Sequence, residues 1–269
     1  MTFSPMLCTE DSHTFNSVLR STTIGSPVKG WVIEKKYDGV RGWIKEGRLY
    51  NRSGRDITKQ FPEFIGLEKL NGIFDGEIIA PSNRLNDING RMKMKDSFEI
   101  KLQAKKEPAR FMCFDFIPNG DTDILHFQRR ELLVNCGVDD VLSWFNIVEQ
   151  YEMEDFANLW DEVVQNNDEG LVLKLSNSLY VCGKSNIWLK VKNWKEQTLK
   201  FTTYEEHAKG IKIMSQDHTV NINGVCAKEV KELIDQQGYA YCEVQYMEQD
   251  DSESLRFPSF KRLKRGIQE

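Results

Sequence analysis

The 269-residue chain has no apolar run long enough to cross a bilayer, which excludes a helical membrane span. Its start, "MTFSPMLCTEDSH", lacks the cationic and apolar regions of a secretory signal. It also lacks any CxxC pair. Its six cysteines, Cys8, Cys113, Cys136, Cys182, Cys226 and Cys242, are scattered, which argues against a disulfide frame or a zinc site. A reducing cytoplasm is the expected compartment. There is no surplus of cations: 36 Lys and Arg stand against 41 Asp and Glu, for a net charge of −5. By its sum alone this charge speaks against a polyanion binder, but distribution matters more. The acids gather in "YEMEDFANLWDE" and "MEQDDSES", the cations in "NGRMKMKD", "WLKVKNWK" and "RFPSFKRLKRG". An acidic back and a basic face satisfy both facts. Neither an internal repeat nor a low-complexity linker is present.

What is present alternates strands with a few helices. "TEDSHTFNSVLRS" reads as an N-terminal helix, with a capping residue, early acids and a late Arg. "WVIEKK" reads as a strand followed by a turn at Asp38-Gly39, and "GWIKEGRLYNRSG" as a hairpin turning at Gly47. "GIFDGEIIA", "ARFMCFDFI", "GLVLKL" and "WLKVKNW" read as strands, and "LHFQRRELLVNCG" as a helix. "MEDFANLWDEVVQN" has Phe156, Leu159, Trp160 and Val163 on one helical face. After Trp194 several strands enclose the helix "AKEVKELIDQQG", which suits a small barrel of the OB type. The junction is expected near Asn193 to Gln197, giving domains 1–194 and 195–269.

"EKKYDGVRG" carries the chemistry. Only roughly 0.04% of an ordinary lysine is neutral at pH 7. Lys35 and Arg41 beside Lys36 are expected to lower its pKa by destabilising the ammonium, and the same cations would hold a phosphate. Gly39 lets backbone approach a ligand without a Cβ in the way. In "WLKVK", alternation puts Lys190 and Lys192 on one strand face and Leu189 and Val191 on the other. Plainer readings stand beside these: a solvated turn lysine at Lys36, the wet face of an edge strand at Lys190 and Lys192, ordinary core packing at Phe114, and a solvated end at "KRLKRG".

Lys36-Tyr37-Asp38-Gly39-Val40-Arg41 resembles motif I of the covalent nucleotidyltransferases: ATP-dependent DNA ligases, RNA ligases and mRNA-capping guanylyltransferases. The resemblance continues in order through "NRSG", "FDGEII", "FMCFDFI", "EGLVLK" and "WLKVK". It implies an α+β adenylation domain of antiparallel sheets with flanking helices, plus an all-β OB-fold barrel. It implies that Lys36 forms a lysyl-NMP adduct and that Asp38 and Arg41 belong to the catalytic set. By the same resemblance Arg52 lies near the nucleotide or the substrate phosphate, and Glu77 at the ribose or a metal. Phe114 stacks on the base, Glu169 is a metal-site carboxylate, Lys174 is a second cation, and Lys190 and Lys192 sit on the α-phosphate. Glu77 and Glu169 are hard oxygen donors suited to Mg²⁺, with Mn²⁺ an alternative. Glu34 could accept a hydrogen bond from an adenine amino group, and Lys35 is counted with the nucleotide-binding residues.

Within the superfamily, "EGLVLK" and the ending "LRFPSFKRLKRG" look like those of DNA ligases, and the compact chain looks like the minimal phage and viral forms. With no nicotinamide-binding or zinc-finger region in view, ATP is the expected AMP donor. The expected activity is nick sealing in duplex DNA, with an RNA ligase or capping enzyme as the alternative. The expected partner is nicked duplex DNA, the expected state a monomer, and the expected setting the cytoplasm of a bacterial, phage-infected or virus-infected cell. The duplex surface is expected at Arg52, Arg55, Arg84, Arg91, Lys93, Lys95, Arg256, Lys261, Arg262 and Lys264. One departure stands out. Where many ATP-dependent ligases end R-x-D-K, this chain has Lys264-Arg265-Gly266-Ile267, so Lys264 or Arg265 would have to serve instead.

Overall fold

The computed structural model describes residues 3–23, 30–83, 85–249 and 255–265, with the side chains of 20–23 and 248–249 excepted. It divides into two compact units, Met1–Val191 and Lys192–Glu269, a few residues ahead of the expected junction. Among the described residues no helix is long and apolar enough to cross a membrane.

The first unit opens with β1 (Met6–Thr9), α1 (Ser12–Thr23), β2 (Trp31–Lys35), β3 (Val40–Lys45) and β4 (Arg48–Asn51). It continues through β5 (Ile73–Ile79), α2 (Leu85–Lys93), α3 (Ser97–Lys106), β6 (Arg110–Ile117), α4 (His126–Asn135) and β7 (Phe145–Ile147). It closes with β8 (Gln150–Glu152), α5 (Phe156–Asn166), β9 (Gly170–Leu175) and β10 (Gly183–Lys192). Two five-stranded sheets result, in the orders β1-β10-β9-β2-β8 and β4-β3-β5-β6-β7.

Local chemistry explains the elements. The Asp11 carboxylate accepts from the backbone N–H groups of His13 and Thr14 and so caps α1. Glu46 and Gly47 both take positive φ, the turn a two-residue hairpin between β3 and β4 requires. The Asp-Gly in "FDGEII" does not interrupt β5; it marks a bulge where the pairing with β6 shifts between Asp75 and Gly76. On α5, Leu159 and Val163 are buried against Ile33, Leu171, Leu173 and Leu189. Val191 packs on the same cluster, so alternation leaves Lys190 on the opposite face of β10. The larger core lies under the second sheet, where Ile44, Leu49, Phe74, Ile78, Phe111 and Phe145 meet.

Gly39 lines the cleft beside Lys36 and is also pressed against a neighbouring strand. A Cβ there would sit 2.2 Å from the Ile78 carbonyl oxygen. The close approach that demands glycine is therefore to the neighbouring strand, β5, and it draws the turn after Lys36 onto the strand that carries Glu77.

The second unit contains β11 (Lys195–Phe201), β12 (Thr203–His207), β13 (Gly210–Met214), β14 (Thr219–Asn223), α6 (Val225–Gln237), β15 (Ala240–Tyr246), β16 (Glu248–Gln249), β17 (Leu255–Arg256) and β18 (Ser259–Lys264). Its sheets run β11-β15-β18, β12-β13-β14 and β16-β17. Phe201, Ile213, Val220, Val230, Cys242 and Val244 form its core, and α6 lies in the chain between β14 and β15. The protein is α+β, as expected.

Candidate active site

Lys36 follows β2 and keeps its pairing with β9, its backbone N–H donating to the Gly170 carbonyl at 2.9 Å. Strand alternation then separates the two adjacent lysines. Lys36 Nζ lies 2.6 Å from Glu169 Oε2. Lys35 turns to the other side, where its ammonium reaches Glu162 of α5 at 3.2 Å. Lys35 thus brings no charge to the Lys36 amine, contrary to expectation.

The field at Lys36 also differs from expectation. Burial works to lower its pKa, but Glu169 and then Glu77 outweigh it, so the ammonium is held more tightly than in water. Two acids, not a ring of cations, dominate the resting amine. Burial pushes Glu77 up to about 7 against the pull of Lys36 and Arg41. The pocket therefore holds a proton on Lys36, and near neutral pH can hold a second on Glu77.

Arg41 stands opposite Glu77 in the β3–β5 register. Its guanidinium makes two 2.7 Å bonds to the fully buried Asp75 and a third, 3.0 Å, to the Met6 carbonyl of β1. Tyr180 also donates to Asp75, and its hydroxyl accepts from the Met6 N–H at 2.9 Å. Asp75 thus ties three segments together around Arg41, and the guanidinium lies 4.3 Å from the Phe114 ring centre. Sequence reasoning took Glu77 from "FDGEII" and passed over Asp75. Period two was the available signal, since Asp75 and Glu77 share a face of β5.

Phe114 sits between two cations, with Lys174 Nζ 4.7 Å from its ring centre and Trp188 edge-on at 5.9 Å. Lys174 is buried; it pairs with Glu34 at 2.6 Å and donates to the Phe114 carbonyl at 2.8 Å. Glu34 also accepts from Gln150 at 3.1 Å. Burial raises the Glu34 pKa, with Lys174 opposing. Glu34, Phe114, Lys174, Val172, Trp188 and Tyr37 share one small pocket with Lys36 and Glu77. Lys174 belongs to this aromatic end.

On the other side of Lys36 a cleft of about 870 Å³ opens, lined by Arg41, Asn51, Arg52, Ser53, Glu77, Asn89, Lys184 and Lys190 among others. Arg52 and Lys184 are exposed, and among the described residues neither pairs with a carboxylate. Lys190 lies 3.9 Å from Glu10. Lys192, the first residue of the second unit, has its ammonium 4.6 Å from the Trp194 ring centre. Asp38 accepts a long 3.4 Å bond from the Leu85 N–H and so ties the motif turn to the start of α2. Cys8 of β1 borders both cavities, and Lys184 the cleft; neither carried a sequence signal, because their strand pairing is remote in the chain.

The expected duplex contacts divide. Arg91 is a correction: it is 2% exposed, bonded to Glu63 and to the Glu107 carbonyl, with its guanidinium 5.4 Å from the Phe61 ring centre. It is a core cation of α2. Arg55, Lys93 and Lys95 are exposed, and Arg84 lies outside the described residues. In the second unit Arg256 lies 5.0 Å from the Phe257 ring centre. Arg262 and Lys264 hold Glu243 at 2.6 Å and 2.8 Å, Lys261 reaches Glu243 and Glu196, and Arg265 pairs with Glu229 at 3.0 Å.

Residues 5–192 match the family model described as the ATP dependent DNA ligase domain. The chain is 28% identical over 204 residues to DNA ligase C1 of Mycolicibacterium smegmatis, covering 67% of this chain and 56% of that protein. It is 29% identical over 204 residues to the bifunctional non-homologous end joining protein LigD of Bacillus subtilis, covering 65% and 33%. The match thus spans about half of one relative and a third of the other. Among solved structures, a Lig E DNA ligase superposes with a TM-score of 0.74 at 17% identity, covering 98% of this chain and all of that one. The ATP-dependent DNA ligase of bacteriophage T7, solved with ATP, gives 0.56 at 19%, covering 97% and 98%. At these identities the likeness speaks for the fold.

Proposed function

The chain belongs to the ATP-dependent DNA ligase family, and on that premise we propose that it seals nicks in duplex DNA, using ATP and a lysyl-AMP intermediate on Lys36. One observation carries the reading. The Lys36 amine sits between two carboxylates where an aromatic pocket meets a cationic cleft. Adenine fits the first, between Phe114 and Glu34, and phosphates fit the second, beside Arg52, Lys184 and Lys190.

In the first step Lys36 Nζ attacks the α-phosphorus. The N–P bond forms, and the P–O bond to pyrophosphate breaks. The ammonium must lose its proton first, and the 2.6 Å hydrogen bond to Glu169 gives that proton a path. Arg41, fixed by Asp75, and Lys190 steady the phosphate charge. The 5′-phosphate of a nick then attacks the adenylate phosphorus, a P–O bond forms and the N–P bond to Lys36 breaks; the exposed Arg52 and Lys184 would hold that phosphate. Attack by the 3′-hydroxyl releases AMP. Around the covalent Lys36 adduct, catalysis rests on position and charge neutralisation.

Glu77 and Glu169 fit Mg²⁺ as hard oxygen donors, and a carboxyl whose pKa is raised to about 7 by burial gains from a cation beside it. Among the described residues no larger acid cluster exists, so water and phosphate oxygens would complete the shell. When bound, the ion would neutralise the triphosphate and loosen the hold of both acids on the Lys36 proton. On the first unit the duplex would lie along the exposed Arg52, Arg55, Lys93 and Lys95, through phosphates and with little sequence preference.

Sealing assays on nicked DNA and nicked RNA, with labelling by ATP and by GTP, test this. ATP labelling and preferred sealing of nicked DNA are expected. Labelling by GTP, or preferred sealing of RNA, would place the chain with the rival activities.

A further inference from the structure

The aromatic pocket and the cationic cleft share part of their lining. Among the described residues, Cys8, Lys36, Arg41 and Glu77 border both cavities. Lys36, Arg41 and Glu77 are charged. Cys8 is small and uncharged, and no step of the sealing reaction uses it.

Its strand holds it firmly. Cys8 belongs to β1, at the edge of the first sheet. Two residues earlier, the buried Met6 donates its N–H to the Tyr180 hydroxyl at 2.9 Å and accepts from Arg41 at 3.0 Å through its carbonyl. Cys8 itself packs on the cluster that contains Met6, Trp43, Tyr180 and Trp188. The pairing with β10 breaks at this point. Leu7 stands opposite Lys184 and Thr9 opposite Leu189, so β1 advances two residues while β10 advances five. Such breaks in a ladder re-aim side chains beside sites. A side chain on a strand pinned in this way meets a ligand with little freedom to yield.

The thiol is poorly suited to attack a substrate. Burial pushes its pKa up against the pull of Arg41, Lys174, Lys36 and Lys190, so it stays protonated at neutral pH. A protonated thiol behaves as a small apolar group. On the nucleotide reading, which this assignment requires, adenine fills the pocket and phosphates fill the cleft. The ribose is then left where the two cavities meet, and its carbon–hydrogen faces suit an apolar wall. We propose that Cys8 packs on the ribose of the bound nucleotide and sets which sugar substituents the site admits. It is a specificity residue, with no part in the chemical steps.

The test is calorimetry of the full chain with ATP, 2′-O-methyl-ATP and 3′-O-methyl-ATP in the absence of metal, a readout that needs no chemistry at Lys36. Cys8→Ala removes the sulfur and makes room beside the sugar. It is expected to improve the affinity for at least one O-methyl nucleotide, relative to ATP, by about ten-fold, since one carbon more or less in a fitted pocket is worth that much. Cys8→Val adds bulk and is expected to weaken ATP itself by about ten-fold. A gain for the larger ligand does not arise from a loosened fold, so the alanine variant decides alone should the valine variant melt early. Labelling of the wild type with ATP and Mg²⁺ runs in parallel. Normal ATP binding with no adduct would contradict the sealing reading and leave the calorimetric ratios to test Cys8, whereas a wild type that binds no ATP would overturn both. An unchanged ratio of O-methyl to plain ATP affinity in Cys8→Ala, for both analogues, would overturn the role of Cys8.

Discussion

At the scale of single residues, Glu77 and Asp75 differ in what they do although they share one strand face. Burial raises the Glu77 pKa to about 7, above its unfolded value of 4.5. Its neutral form is thus favoured by folding, and the stability it contributes below pH 4.5 is lost as pH rises through about 7. Glu77→Gln keeps the neutral shape, so it is expected to gain in melting temperature over wild type at pH 8 and to gain little at pH 5. Equal gains at both pH values would contradict the assignment. Activity should move the other way, since the variant loses a charged oxygen from the site. Asp75→Asn removes the buried charge that holds the partly buried Arg41 guanidinium, and breaking a buried pair costs up to about 3–5 kcal/mol. Slow adenylation and a destabilised fold are expected together, read by single-turnover labelling and chemical denaturation. The motif spacing was enough to pick out Lys36, Glu77 and Glu169 as a group. It could not give the sign of the field at Lys36. That depends on which side each neighbour faces, and Glu169 arrives from 133 residues away.

At the scale of elements, close packing between β3 and β5 sets the site. Gly39→Ala would push a methyl carbon to 2.2 Å from the Ile78 carbonyl, so the strands must part. Such overpacking costs about 1–3 kcal/mol, and here it also displaces Lys36 relative to Glu77. A fully active, fully stable Gly39→Ala protein would contradict this packing. The strands were legible because their apolar runs are long and bounded by turn residues. The helices α2 and α3 were not, because "NGRMKMKD" shows charge where a helix period would be sought. Its Arg91 is the exception within the run, carried inward beside Ile88. Arg91→Ala is expected to destabilise by about 3 kcal/mol as a broken buried pair. Lys93→Ala and Lys95→Ala are expected to leave stability unchanged, and each to lower the salt slope of duplex binding by about 0.9. Denaturation and salt titration on the three variants separate a core cation from surface ones. Strand β1 escaped notice for another reason: it is short, and its partner β10 lies at the far end of the unit.

At the scale of the whole molecule, an acidic chain carries a cationic cleft, and distribution decides what it can bind. The sum of charge pointed away from DNA, while the placement of Arg52, Lys184 and Lys190 around Lys36 points toward phosphates. The most direct test of this account is the intact mass of the protein after incubation with ATP and Mg²⁺, followed by peptide mapping. One added AMP on Lys36, discharged when nicked duplex DNA is supplied and absent from Lys36→Ala, is the predicted result. No adduct, or an adduct on another residue that persists in Lys36→Ala, would contradict it.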